Sequence, residues 1–154
     1  MLGNFFKRKN EPDAEEKGII GRVFENDMPV IYKFVNEVPT QETIHKFPEL
    51  TVISWEYDGS KNNGMPEKPD NQGMMNLEDA IDDLANNKFC IHAYSRTGNN
   101  LKELVYYISD QEQFMSAFNK ALAKHQEYPI EIKFYKDPEW EDFLKLLKDF
   151  SKNG

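Results

Sequence analysis

Three histidines, one cysteine and 27 carboxylates are the side chains in this 154-residue chain best suited to acid–base, nucleophilic or metal chemistry. His45, His92 and His125 lie far apart, and only His92 is set in an apolar run. Cys90 stands two residues before it. On a strand the two would share a face, which makes a thiol–imidazole couple chemically available. The surrounding run, KFCIHAYS, is that of a packed strand, in which a His sits on the sheet face and a Cys acts as a small apolar residue. Asp58, Glu67, Asp70 and His92 offer metal-ligand atoms, but no ligand spacing joins them. The chain has no H-E-x-x-H, P-loop, G-x-S-x-G or dinucleotide pattern. The sequence therefore assigns no catalytic residue, cofactor or metal, and it favours a binding role over an enzymatic one.

The charge balance narrows the partner. With 19 basic and 27 acidic residues the formal charge is −8, which disfavours phosphate-neutralising contact with nucleic acid. It suits solubility and also a basic partner. A single cysteine allows no internal disulfide and fits a reducing compartment. The first residues contain no apolar run of signal length, and no stretch approaches the roughly 18 apolar residues of a membrane span. A cytoplasmic protein with no membrane contact is expected.

The elements that would hold these groups are ordered around residues 88–110, KFCIHAYSRTGNNLKELVYYISD. These read as two strands joined at Thr97-Gly98-Asn99-Asn100, where Gly and Asn tolerate positive φ. Phe89, Ile91 and Ala93 alternate with Cys90, His92 and Tyr94. Leu104, Tyr106 and Ile108 alternate with Glu103, Val105 and Tyr107. With both of its faces apolar, the second strand is expected at the centre of a sheet covered on both sides.

Residues 1–17 read as a mobile polar tail and residues 18–154 as one domain. Residues 19–25 and 30–35 read as strands around Asn26-Asp27, with Pro29 delaying the second strand or placing it at an edge. A short helix is expected over residues 40–47 and a strong strand over 49–57, with Ile53, Trp55 and Tyr57 on one face. Residues 58–73 read as the longest irregular segment. A helix over residues 74–87 puts Leu77, Ala80, Ile81, Leu84 and Ala85 on one side and Glu78, Asp79, Asp82 and Asp83 on the other. Asp110 with Gln113 marks a capping box before a helix carrying Phe114 and Phe118. Ile130, Ile132 and Phe134 mark a strand. Asp137-Pro138 reads as an N-cap and first helical residue, with Trp140, Phe143, Leu144 and Leu147 forming an amphipathic stripe. The fold class is α+β. Residues 49–135 follow a ferredoxin-like split β-α-β pattern, a mainly antiparallel sheet with helices on one face, to which an N-terminal hairpin and a C-terminal helix are added.

Several short stretches carry a family likeness. They are W-x-Y-D-G at 55–59, G-M-P at 64–66, L-E-D at 77–79, T-G at 97–98, Y-Y at 106–107 and D-P-E-W-E at 137–141. Together they resemble the bacterial proteins catalogued as a domain of unknown function with G-M-P and D-P-E-W motifs. The likeness covers residues 19–150. In that family a further glycine and an arginine tend to follow the T-G pair, where this chain has Asn99-Asn100 and Lys102. The resemblance brings no activity with it. At the level of fold pattern the chain is also similar to the B-type regulators of ribonuclease E, which are small, acidic and non-enzymatic.

Two functions follow as expectations. The first is a non-enzymatic regulator or immunity-like protein whose acidic surface engages a basic protein. Its binding candidates are Glu78, Asp79, Asp82, Asp83, Trp55, Tyr57, Met65 and Tyr106, with the four acidic residues pointing to solvent. The alternative is a small-molecule binder or enzyme with a pocket under the 58–73 loop. The aromatic residues Trp55, Tyr57, Tyr94, Tyr106, Tyr107 and Tyr135 suggest a sheet face, which the N-terminal hairpin is expected to cover. Arg96 and Lys102 supply too little charge there for nucleic acid.

Overall fold

Strand β5, Leu101–Ile108, lies inside the sheet and is buried on both faces. In this computed structural model residues 18–85 and 89–151 are described. The expected tail at residues 1–17 lies outside them, as do residues 86–88 of the expected helix and strand. The other strands are β1 Gly18–Glu25, β2 Met28–Val35, β3 Glu49–Glu56, β4 Cys90–Gly98 and β6 Ile130–Lys136. They form one six-stranded sheet of order β1-β2-β4-β5-β3-β6, with every neighbouring pair antiparallel. The helices are α1 Gln41–Lys46, α2 Lys68–Asp82, α3 Gln111–Ala121 and α4 Glu141–Ser151, and a 3-10 turn at Asp83–Ala85 follows α2.

Turn chemistry sets the hairpins. Asn26 and Asp27 both have positive φ, 53° and 65°, and so do Asn99 and Asn100, at 49° and 68°. Two such residues in succession give the turn whose twist matches that of paired strands. Gly98 (φ 148°) is forced by contact as well, because a Cβ there would lie 2.4 Å from the Pro29 carbonyl oxygen. Pro29 neither delays β2 nor places it at an edge. β2 begins at Met28 and lies between β1 and β4, and its pairing with β4 starts two residues later at Val30.

The sheet is covered on both sides. Helices α2 and α3 bury Met74, Leu77, Ile81, Phe114 and Phe118 against Ile53, Trp55, Leu104 and Tyr106. Helices α1 and α4 lie on the opposite face, where Ile44, Phe143 and Leu147 meet Leu50, Val105 and Tyr107. The expectation of helices on one face therefore holds for α2 and α3 alone. The expected aromatic face divides in the same way. Trp55, Tyr57 and Tyr106 belong to the α2 side, Tyr94 and Tyr107 to the α4 side, and Tyr135 is half exposed on edge strand β6. The N-terminal hairpin does not cover this face. It extends the sheet sideways through β2–β4 pairing.

Three local differences have physical causes. A register shift between His92 and Tyr94 inserts Ala93 as an extra residue, so Tyr94 turns to the α4 side instead of alternating with Ala93. Helix α2 starts at Lys68, six residues before the expected residue 74, because Pro69 fits the first helical turn, where its missing N–H is not needed. Helix α4 starts at Glu141, not at Pro138. Residues 137–140 form a turn closed by Trp140 N–H donating to the Asp137 carbonyl, and Trp140 has φ 57°. Asp137 still caps the helix, across this turn, by accepting from the backbone N–H groups of Glu141 and Asp142.

Candidate functional site

The acidic residues of α2 divide by position around the helix. Asp79, Asp82 and Asp83 are exposed. Glu78 does not point freely to solvent as expected. It is partly buried and lies 3.6 Å from the ammonium of Lys102, which is itself nearly buried on β5. Burial pulls the Lys102 pKa down, and the Glu78 charge restores part of it. The Asp82 carboxyl is held above the ordinary aspartate range, first by desolvation near the body of the domain and then by Glu78, Asp79 and Asp83. The four carboxylates therefore comprise one ion-paired residue and three exposed ones, of which Asp82 is ionised at an electrostatic cost.

Three of the four apolar members of the expected site are buried. Trp55, Tyr57 and Tyr106 are buried in the core between the sheet and α2–α3, which corrects their assignment as contact residues. Met65 is partly buried within the loop after β3. Arg96 is committed internally: its guanidinium reaches Glu25 at 3.1 Å and donates to the carbonyls of Gly98 and Leu101.

The irregular segment is shorter than expected and is tied down. Tyr57 Oη donates to the Gly64 carbonyl at 2.7 Å, and Asn100 N–H donates to the same oxygen at 2.9 Å. Asn100 Oδ1 accepts from Gly59 N–H, and the Asn100 carbonyl accepts from Tyr57 N–H. Gly64 (φ 83°) lets the backbone pass against Asn99 and Met28. The W-x-Y-D-G, G-M-P and T-G-N-N stretches thus meet in one knot that locks the loop onto the β4–β5 turn. The cleft beside it, about 390 Å³, is an open surface depression lined by Lys61, Asn62, Pro66, Glu67, Lys68 and Asn71. Tyr57→Phe is expected to cost about 1 kcal/mol, the net value of one hydrogen bond. It should speed amide exchange in residues 59–65 more than in the sheet. Uniform exchange across the domain would show that the knot does not act locally.

Sequence reasoning missed an open groove beside α2. Ile20, Lys33 and Ser95 lie in the same cross-strand row as Leu104, which places them on the α2 face of the sheet. No described helix covers this end. Ile20 is 72% exposed, Phe24 64% and Val35 44%. The groove, about 610 Å³, is lined by Ile20, Lys33, Val35, Glu78, His92 and Ser95, among others. Its signal in sequence was the alternation of Ile20, Arg22 and Phe24, half of an amphipathic strand with no helix to match it. His92 forms part of the inner wall and stacks on Tyr106 at 4.5 Å between ring centroids. Its Nε2 and the Tyr106 hydroxyl are both buried without a hydrogen-bond partner among the described residues. Burial lowers the His92 pKa to about 4, and the nearby Lys102 charge adds to the effect. Cys90 Sγ donates to the Leu84 carbonyl rather than engaging His92, and burial pushes its thiol up to about 12. No three His, Cys, Asp or Glu residues come together as a metal site among the described residues, and no described helix is long and apolar enough to cross a membrane.

Comparison with curated proteins found no match. The family comparison covers most of the domain just described, from Arg22 on β1 to Lys148 on α4. Over residues 22–148 the sequence matches DUF695, a family of unknown function, and the chain belongs to that family.

Proposed function

We propose that this is a non-enzymatic, cytoplasmic binding or regulatory protein that engages a basic, partly apolar segment of a protein partner. The observation that carries this reading is that α2 bears the exposed carboxylates Asp79, Asp82 and Asp83 and also lends ion-paired Glu78 to the wall of the open groove. Carboxylates at the rim would steer Lys and Arg side chains toward the site, and exposed Val35 would supply apolar contact. The strand order β4-β5-β3-β6, with α2 and α3 on one face, supports the finer reading of a ferredoxin-like split β-α-β core extended by a hairpin. The likeness of that pattern to the B-type regulators of ribonuclease E favours a nuclease regulator or immunity-like role by analogy of fold.

Asp82→Lys with Asp83→Lys tests the reading. Stability should stay near wild type or rise slightly, because each like-charge pair one turn apart costs about 0.2–0.5 kcal/mol. The sign follows from Asp82. Its folded pKa is raised, so its ionisation disfavours the folded state, and the associated stability is lost as pH rises through the carboxylate range. Affinity capture from the native host with mass spectrometry should lose partners relative to wild type. The loss should be largest at low salt, where steering reaches furthest. Full retention of every captured protein would remove the acidic face from the binding account.

A further inference from the structure

Strand β1 ends the sheet as a bare edge, and we propose that it pairs with β1 of a second copy of this chain to form a continuous twelve-stranded sheet. Eight consecutive residues of β1 pair with β2 without a register shift, and among the described residues nothing pairs with its other side. The strand GIIGRVFE contains no Pro and no Lys, and its two charges are Arg22 and Glu25, the latter paired with Arg96. The opposite edge differs. β6 carries Glu131, Lys133 and Lys136, and Lys133 lies 3.9 Å from Glu131. Of the two edges, β1 carries the fewer charges among the described residues.

The hairpin geometry fixes which groups the edge offers. Glu25 and Met28 close the two-residue Asn26-Asp27 turn, so Glu25, Val23, Gly21 and Ile19 bond to β2. Phe24, Arg22, Ile20 and Gly18 then turn their N–H and C=O groups outward. An antiparallel copy must place outward-facing residues opposite one another on the same face. An axis through Arg22 would set two guanidinium groups directly opposite each other. An axis at Gly21 instead sets Ile20 opposite the partner's Arg22 and Gly18 opposite the partner's Phe24, with no side chains at the centre. That register covers the exposed apolar residues of β1, Ile20 and Phe24, with the stem of Arg22 and the backbone of Gly18. On the other face Phe150 already occupies the space next to Gly21, where a Cβ would lie 2.2 Å from its ring.

The test uses the full chain in light scattering across a dilution series from millimolar to low micromolar. Wild type should approach twice the mass of one chain at the high end. Ile20→Pro removes an outward N–H that the β1–β2 ladder does not use, so it should halve the mass at high concentration while leaving circular dichroism and the melting of the dilute, monomeric protein unchanged. Ile20→Lys is the second variant should proline disturb the strand, and it should also give monomer. Register is read by mixing chains carrying Ile20→Cys with chains carrying Arg22→Cys. The mixture should cross-link several-fold faster than either chain alone, and buried Cys90 does not compete. A wild type that stays monomeric at millimolar concentration overturns the proposal. So does a dimer that survives both variants or shows no preference for the mixed cross-link.

Discussion

Trp140→Ala is expected to lower stability by about 3–5 kcal/mol, the range for losing a fully buried large aromatic. Trp140 is 1% exposed. Its ring lies parallel to Tyr107 at 4.0 Å, and its Nε1–H donates to the Phe47 carbonyl at 2.8 Å. Truncation opens a cavity and also leaves that carbonyl buried without its donor. Around it Asp137 accepts from Tyr107 Oη, which in turn accepts from Phe143 N–H. One residue thus ties α1, β5 and the start of α4 together. The backbone gives a sharper test. At φ 57° an L side chain is disfavoured, so Trp140→Gly should be no less stable than Trp140→Ala. In a helix interior Gly would be worse than Ala by about 1 kcal/mol. Denaturant titration of both variants decides the point. An unchanged midpoint for Trp140→Ala would refute its role as anchor, and a clear deficit of Gly below Ala would refute the left-handed turn.

Elements whose sequence cause is local were legible. Asn-Asp and Asn-Asn turns, the Asp110 cap accepting from Gln113 N–H at 2.8 Å, and the central two-faced β5 can each be read from a few adjacent residues. Elements decided across the sheet were not. The extra residue at Ala93 is a property of how β4 pairs with β5, and alternation alone cannot reveal it. Trp140 had the spacing of a helical stripe, yet its position is fixed by Tyr107 and Phe47 from other elements. The acidic stripe was legible as composition. That Glu78 would be claimed by Lys102 depended on how α2 packs over β5, and the open groove beside it on where β2 docks. Trp55, Tyr57 and Tyr106 misled for the opposite reason: large aromatics suit both contact surfaces and cores, and only the placement of α2 and α3 separates the two.

His92→Phe should remove an acid sensitivity that wild type carries. Folded His92 has a pKa near 4, held down by burial and then by the Lys102 charge, whereas in the unfolded chain it titrates near 6.5. Above that value both states are neutral and His92 contributes no pH dependence. As pH falls from 6.5 toward 4 the unfolded chain takes up a proton that the folded chain refuses, so stability is lost. The loss runs at up to about 1.4 kcal/mol per pH unit and amounts to about 3 kcal/mol over the window. Glu78 on α2 and Lys33 on β2 line the same groove, and Tyr106 stacks on the ring. Asp82 acts in the opposite direction, since its protonation relieves repulsion as pH falls. The useful quantity is therefore the difference between variant and wild type. Phe keeps the ring on Tyr106 and deletes the partnerless Nε2 but gives up the ring's hydrogen bond with the Tyr94 backbone, so at neutral pH it should stay within about 1 kcal/mol of wild type. The difference should be constant above pH 6.5 and widen in favour of Phe down to pH 4. Parallel stability curves in urea titrations across that range would show that His92 is hydrated or partnered in solution, and would remove it as the source of acid sensitivity at the groove wall.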